Sequence, residues 1–189
     1  MASKYLAVGA VVPFVRAGVG AVATQARGNP LFGPRGLGLM AKGVAPETIV
    51  EQFGAEDADW EFRQLHMVDA RGRSACHTGA ETVEWAGHRT GDNCTVAGNI
   101  LTGPEVLEAM LEAFQADPEE PLARRLMAAL LAGDEAGGDR RGKQSAALVV
   151  VDTEPYPIVN IRVDDHADAP TELARIFDLF QEAFPKSIR

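Results

Sequence analysis

The N-terminal stretch MASKYLAVGAVVPFVRAGVGAVATQA constrains the fold of this 189-residue chain more than any other segment. It is apolar, it is rich in glycine and β-branched residues, and it predicts strands from the first residues onward. Val19–Thr24, bounded by Gly18 and Gly28, is one such strand. A secretory signal needs an unbroken apolar segment, and Pro13 and Arg16 interrupt this one. We therefore expect the chain to begin inside a β-sheet.

Further along the chain, groups of predicted strands and groups of predicted helices follow one another. Strands are expected in a hairpin that turns at Asp69–Gly72, and at Cys94–Leu101, Ala146–Val151 and Val159–Val163. Helices are expected near Arg35–Lys42, after Pro46, from Thr102, after Pro121 and at about Thr171–Phe184. Two helices between two groups of strands depart from the alternation of a doubly wound parallel sheet. The order favours an α+β fold of antiparallel sheets with helices outside, in a single domain over residues 1–189.

Three local patterns specify individual elements more closely. Thr102 with Glu105 three residues later is a capping box, which predicts a helix N-terminus at that point. Residues 146–151 are continuously apolar, which is typical of a strand covered on both faces. The last predicted helix carries one apolar stripe, formed by Leu173, Ile176, Phe177, Phe180 and Phe184.

The charge and the cysteine content exclude several classes of partner. The formal net charge is −9, which argues against nucleic-acid binding and against docking on anionic membranes. The apolar segments are shorter than a bilayer span requires. Cys76 and Cys94 lack metal-site spacing, and we expect them to be the reduced thiols of a cytoplasmic protein.

The segment WAGHRTGDN contains the first group of candidate binding residues. We expect it to be a loop between two strands that faces a pocket, or else a long turn with Trp85 in the core. Its polar side chains are His88, Arg89, Thr90 and Asp92.

The segment GGDRRGKQS contains a second candidate group. Its paired glycines allow a close approach to a ligand, and Asp139, Arg140 and Arg141 are suited to a carboxylate or carbonyl group. The alternative is a solvated charged loop, and the segment lacks the ending of a phosphate-binding loop. Asn99, inside an apolar strand, either orients a ligand or bonds a neighbouring backbone group.

The sequence offers only weak signals for a metal or an internal nucleophile. Asp164, Asp165 and His166, with His88, are possible ligands without the spacing of a known metal site, and no metal is expected. Cys76 and His77 are neighbours on a predicted strand and point to opposite faces, so Cys76 is expected to be a core thiol. The G-x-S-x-G elbow of α/β-hydrolases is lacking.

Six motifs in order along the chain carry a resemblance to a known family: SKYLAVGAVVPFVRAGVGAVATQA, NPLFGPRGL, WAGHRTGD, AGNILTGPEV, GGDRRGKQSAAL and RVDDH. The chain resembles the bacterial and archaeal domain-of-unknown-function family 1028, which is placed among the Ntn-hydrolase-like proteins. The resemblance implies a four-layer αββα sandwich of two antiparallel sheets with helices outside. It further implies amide hydrolysis, with a mature N-terminal Thr, Ser or Cys as nucleophile and its α-amino group as base.

The chain departs from that family at its start. Relatives have about twenty further residues before SK, with a first strand hairpin that carries the nucleophile, whereas here the mature chain would begin at Ala2. Either the start is misassigned, with the nucleophile upstream of Met1, or the hairpin is truly lacking. The first explanation is favoured, because a sheet without its hairpin would expose unpaired backbone groups.

The resemblance assigns site residues by fold analogy. Ser3, Lys4 and Arg16 are expected to support catalysis. The pocket candidates are Thr24, His88, Asn99, Asp139 and Arg140.

The expected function is hydrolysis of a small amide or peptide-like substrate without a cofactor. The alternative is a non-catalytic small-ligand binding or assembly module on the same fold. A metal-assisted hydrolase that uses His88, Asp164 and His166 is the least favoured reading. A homodimer or larger homo-oligomer is expected.

Overall fold

The computed structural model describes residues 1–185. This part of the chain contains nine strands: β1 (Ala2–Ser3), β2 (Pro13–Arg16), β3 (Gly20–Ala26), β4 (Arg63–Asp69), β5 (Ser74–Thr78), β6 (Gly87–Gly91), β7 (Cys94–Gly98), β8 (Ser145–Val150) and β9 (Val159–Val163). It also contains five α-helices: α1 (Phe32–Met40), α2 (Pro46–Glu56), α3 (Glu105–Gln115), α4 (Leu122–Glu135) and α5 (Ala169–Ala183). None of the helices in the described residues is long and apolar enough to cross a membrane.

The strands form three antiparallel sheets. The largest has the order β2-β3-β4-β5, the second has the order β1-β8-β9, and β6 pairs with β7. The fold is therefore a mixture of helices and antiparallel sheets, which confirms the predicted class at that level. The strand β1 pairs with β8 at Ala2–Ala146 and Ser3–Ser145, so residues 2 and 3 lie within a sheet.

The helices cover the sheets from outside. Helices α1 and α2 pack on one face of the four-stranded sheet, where Leu65 and Met67 of β4 are fully buried against Ile49 and Phe53 of α2. Helices α4 and α5 pack on β8 and β9, and α3 packs on β6 and β7. Every second residue of β9 is buried, as its alternation predicts.

Several elements begin or end differently from their sequence patterns. The strand β7 ends at Gly98 and not at Leu101, which leaves Asn99 outside the strand. The capping box at Thr102 and Glu105 was wrong, because α3 begins at Glu105 after Pro104 and has no side-chain cap. The Thr102 amide donates to the Gly138 carbonyl, which holds it outside the helix. Phe184 lies beyond the end of α5 and is 56% exposed, so the predicted stripe stops at Phe180.

The segment WAGHRTGDN was expected to be a loop and is instead mainly a strand. β6 occupies Gly87–Gly91, and it pairs residue by residue with β7, from Gly87–Gly98 to Gly91–Cys94. Its polar, glycine-flanked sequence has low strand propensity, and the pairing with the apolar β7 overrides it. The apolar strand β8 lies one residue earlier than predicted, and five of its six residues are buried.

Candidate functional site

One face of the four-stranded sheet is polar, and it lies opposite to the helix-covered face. Because side chains alternate along a strand, Gln64 and His66 point away from Leu65 and Met67. The strand β7 packs against β4 and β5, so this polar face is covered by a second layer of backbone. The polar side chains of this face therefore lie between the four-stranded sheet and β7. Buried polar groups in such a position require hydrogen-bond partners.

Three polar residues stand directly opposite one another across β3, β4 and β5. The register pairs Gln25 with Gln64 and Gln64 with Thr78, and we call these three residues the polar row. Gln25 Nε2 donates to Gln64 Oε1 at 2.8 Å and contacts the Ala97 carbonyl of β7 at 3.2 Å. Cross-strand side-chain hydrogen bonds of this kind hold neighbouring strands in register.

The amide of Gln64 is fully buried and its orientation is fixed by its surroundings. Its Nε2 lies 2.9 Å from the carbonyl oxygens of Gly87 and Gly98, which only accept hydrogen bonds. The nitrogen must therefore face these carbonyls, and the oxygen must face Gln25 and the Asn99 amide nitrogen, 3.3 Å away. Gln64 thus joins β4 to the end of the β6–β7 pair at which Gly87 and Gly98 stand opposite each other.

His88 of β6 lies next to the last residue of the polar row, Thr78. Thr78 Oγ1 lies 2.9 Å from Gln64 Nε2 and 2.9 Å from His88 Nδ1. Partial burial lowers the pKa of His88 below its ordinary value, and the nearby positive charges of His77 and Arg89 add to the effect. The lowered pKa favours the neutral form of the His88 imidazole.

A second pair on the same face, His66 and Cys76, lies one step along the strands. His66 Nδ1 contacts Thr95 Oγ1 of β7 at 2.7 Å, and Cys76 also bonds to that hydroxyl. Desolvation lowers the pKa of His66 to about 4, with the charge of His88 as a further cause. Burial raises the pKa of the Cys76 thiol to about 11. Cys76 is half-buried on this polar face, so the expectation of a core thiol was wrong.

A cleft of about 750 Å³ opens beside the end of the polar row. Residues 78–80, 82 and 84–89 line it, so Thr78 and His88 form part of its wall. Trp85 closes one side, and a Cβ on Gly87 would lie only 2.5 Å from the Trp85 ring. A side chain at position 87 would therefore require the Trp85 ring to move. Trp85 also packs against the apolar cluster beneath α3, as the expectation of a core Trp85 had it.

A second polar group forms where the N-terminal segment meets the loop before β8. The Lys4 amide donates to Asp139 Oδ2 at 3.2 Å, and Arg141 pairs with the same carboxylate at 2.6 Å. Burial opposes ionisation of Asp139, but these donors hold its pKa below the ordinary value. The backbone amide of Gln144 donates to the Ser3 carbonyl. Ser3, Lys4 and Asp139 are thus neighbours.

The two polar groups meet at the bend after β7. The Arg140 amide donates to the Ile100 carbonyl, and Ile100 follows directly on Asn99. Ile100 has φ 57°, a left-handed conformation that is rare for a β-branched residue. Such strain is maintained only where surrounding contacts impose it, and it is often found at functional sites.

The remaining predicted site residues lie elsewhere. Thr24 pairs with Leu65 and shares its helix-covered face, where its hydroxyl accepts the Asn29 amide. Arg16 lies at the exposed end of the β2–β3 hairpin. The side chain of Arg140 is exposed.

The described residues contain no group of three or more His, Cys, Asp or Glu side chains placed to hold a metal. The Nδ1 atom of His166 accepts the Asp168 amide.

Sequence reasoning missed the polar row. Gln25 and Gln64 alternate with apolar residues, and this pattern predicts that one face of each strand is exposed to solvent. The signal that separates a buried polar face from an exposed one is the packing of β7 across the sheet, which no local pattern contains.

Comparison with known proteins agrees with this fold. The crystal structure of protein SPO2555 from Silicibacter pomeroyi, a DUF1028 protein, superposes with a TM-score of 0.88 and 32% sequence identity. The match covers 95% of this chain and 78% of that one. A search of curated proteins found no similar sequence. The model of a family of unknown function, DUF1028, matches residues 1–173. The chain belongs to the family DUF1028.

Proposed function

We propose that this protein hydrolyses a small amide or peptide-like substrate on a four-layer αββα, Ntn-hydrolase-like architecture. Helices α1 and α2 lie outside the four-stranded sheet, α3 lies outside β6 and β7, and α4 and α5 lie outside β8 and β9, which supports a layered architecture. In a four-layer αββα architecture, the substrate would lie between the two central β-layers or at their ends.

The polar row is the observation that carries the proposal. Inner faces of stacked sheets are normally filled by apolar side chains, whereas this one presents two amides, a hydroxyl and an imidazole. Gln64 is fully buried, and its amide bonds two backbone carbonyls. Groups that both donate and accept match the acceptor oxygen and donor nitrogen of an amide. The cleft at the end of the row gives such a substrate access to His88.

The two thiols and the buried Ser145 hydroxyl are not activated for attack. Burial raises the pKa of Cys76 to about 11 and also raises the pKa of Cys94. The Ser145 hydroxyl accepts the Val8 amide and donates to the Tyr5 carbonyl. An N-terminal nucleophile of the mature protein remains the proposed attacking group.

The second candidate is binding of a small ligand without chemistry. The raised thiol pKa values and the engaged Ser145 hydroxyl favour it, because a binding module needs no activated nucleophile. On this alternative, the polar row and the cleft recognise a ligand that is released unchanged.

The experiment starts from protein purified from its native cells. Its intact mass and N-terminal sequence give the first residue of the mature chain. Incubation with a panel of small amides, with amine release as readout, then tests hydrolysis. A Thr, Ser or Cys terminus with amine release that a terminus-blocking reagent abolishes supports hydrolysis. A terminus without such a side chain overturns the N-terminal nucleophile, and saturable binding without amine release supports the second candidate.

A further inference from the structure

The hydrogen bonds around Thr78 determine where its proton goes. Thr78 Oγ1 has two neighbours within hydrogen-bonding distance among the described residues, Gln64 Nε2 and His88 Nδ1. An amide nitrogen donates and does not accept. Among these two neighbours only Nδ1 of His88 can accept the Thr78 proton, and it does so in the tautomer that is protonated on Nε2.

The orientation of the Gln64 amide excludes its oxygen as an acceptor for the Thr78 hydroxyl. Rotating the Gln64 amide by half a turn would set its oxygen against the carbonyl oxygens of Gly87 and Gly98, both 2.9 Å from the present nitrogen. It would also set nitrogen against the donor nitrogens of Gln25 and Asn99. Four hydrogen bonds would become repulsive contacts, so only the present orientation is allowed.

A neutral imidazole that accepts at Nδ1 carries its proton on Nε2. Within the described residues, Nε2 of His88 has no hydrogen-bond partner, and His88 lines the cleft. The ring is thus a neutral donor with a fixed tautomer at the wall of an open site. We propose that Gln64 and Thr78 hold neutral His88 in the Nε2–H form, and that this N–H donates to the carbonyl oxygen of an amide ligand in the cleft.

The charge of the cleft favours a neutral ligand over an anion. Glu84 lines the same cleft and is exposed. Arg89, the cation of the lining, is drawn toward Glu108 at 3.7 Å and the His88 carbonyl at 3.0 Å. A carboxylate ligand would be repelled by Glu84, and Arg89 is already engaged by other partners. The N–H of an amide ligand can instead donate to the Glu84 carboxylate. The choice of an amide rests on the proposed function, while the tautomer rests on the hydrogen bonds alone.

Thr78 is a positioning residue in this scheme. The substitution Thr78→Val keeps the shape of the side chain and removes the hydroxyl, and Thr78→Ser keeps the hydroxyl. With Thr78→Val, Nδ1 loses its donor and the ring is released into a mixture of tautomers. With Thr78→Ser, the Nε2–H form is retained. A role in folding alone would not change the tautomer.

Long-range ¹H–¹⁵N NMR of the histidine-labelled protein at pH 8 tests the tautomer, with His88→Gln used to assign the signals. We expect a pyrrole-type Nε2 and a pyridine-type Nδ1 in the wild type and in Thr78→Ser, and averaged signals in Thr78→Val. A wild-type ring protonated on Nδ1, or identical spectra for Thr78→Val and the wild type, would overturn the tautomer assignment.

Titration with N-methylacetamide tests the ligand, with ethylammonium as a probe that lacks the carbonyl acceptor. We expect N-methylacetamide to shift the His88 Nε2 signal, ethylammonium to leave it unchanged, and Thr78→Val to weaken the response about fivefold. A fixed tautomer without a response to N-methylacetamide would overturn the amide ligand. Neither readout requires turnover, so a failure of hydrolysis is distinguished from a failure of this proposal.

Discussion

Thr78 Oγ1 lies 2.9 Å from His88 Nδ1, and this contact connects the interior of the sheet to the wall of the cleft. On its inner side the same hydroxyl meets Gln64, a fully buried residue. A change at the buried amide of Gln64 therefore reaches the half-buried ring of His88 through one hydroxyl. This link between a structural amide and an accessible imidazole is the reason for assigning a function to the polar row.

Replacing Gln64 by leucine should destabilise the protein. Leucine leaves the carbonyls of Gly87 and Gly98 without their donor and the amide of Gln25 without its acceptor. We expect a loss of about 3 kcal/mol in the free energy of unfolding, measured by urea denaturation. The control is Gln52→Leu, at an exposed position on α2, with a change below about 0.5 kcal/mol. Equal stabilities of the two variants would contradict the role given to the buried amide.

His66 should make stability depend on pH between about 4 and 6.5. Its folded pKa of about 4 lies below the ordinary 6.5, so the unfolded chain takes up the proton first as the pH falls. Stability is complete above pH 6.5 and falls by up to about 3 kcal/mol on the way to pH 4. In His66→Gln most of that slope should vanish, whereas His166→Gln, at an exposed position, should retain it. Parallel profiles for His66→Gln and the wild type would exclude this cause.

The two thiols should be nearly inert in the folded protein. With a pKa of about 11, roughly one Cys76 in a thousand is a thiolate at pH 8, and Cys94 is buried. We expect a disulfide reagent to label both at the rate of unfolding, followed by absorbance in native buffer and in urea. Rapid labelling of Cys76 in native buffer would show an activated thiol and would favour internal nucleophilic chemistry.

Ser145 should be a structural residue. Its hydroxyl joins the Val8 amide at 3.1 Å to the Tyr5 carbonyl at 2.5 Å, and the residue is fully buried. Ser145→Ala leaves a buried amide without an acceptor and should cost about 2 kcal/mol of unfolding free energy. The matched control is Ser74→Ala, because the Ser74 hydroxyl makes no side-chain hydrogen bond within residues 1–185. Loss of amide hydrolysis in a fully stable Ser145→Ala would instead indicate a catalytic role.

The secondary structure was predictable where the residue pattern of an element matched the burial of its faces. The alternation of Val159, Ile161 and Val163 predicted a half-buried strand, and β9 has every second residue buried. The turn at Asp69–Gly72 predicted the hairpin of β4 and β5. The failures occurred where tertiary contacts decided the outcome, as in β6, whose pairing with β7 outweighs its polar sequence.

The candidate site was predictable in its parts and not in its arrangement. His88 and Asn99 were singled out as polar residues in unusual settings, and Gln64 contacts Asn99 directly and His88 through Thr78. Gln64 itself was missed, because a polar residue that alternates with leucine predicts an exposed face. Its burial results from a strand thirty residues further along the chain, and local periodicity carries no information about such a contact.

The decisive measurement is amine release from a panel of small amides, for the native-source protein and for His88→Gln. We expect at least one amide to be hydrolysed and His88→Gln to lower kcat/KM for it at least tenfold, because a donor to the reacting carbonyl is lost. Absence of hydrolysis across the panel, or hydrolysis that His88→Gln leaves unchanged, would contradict this expectation.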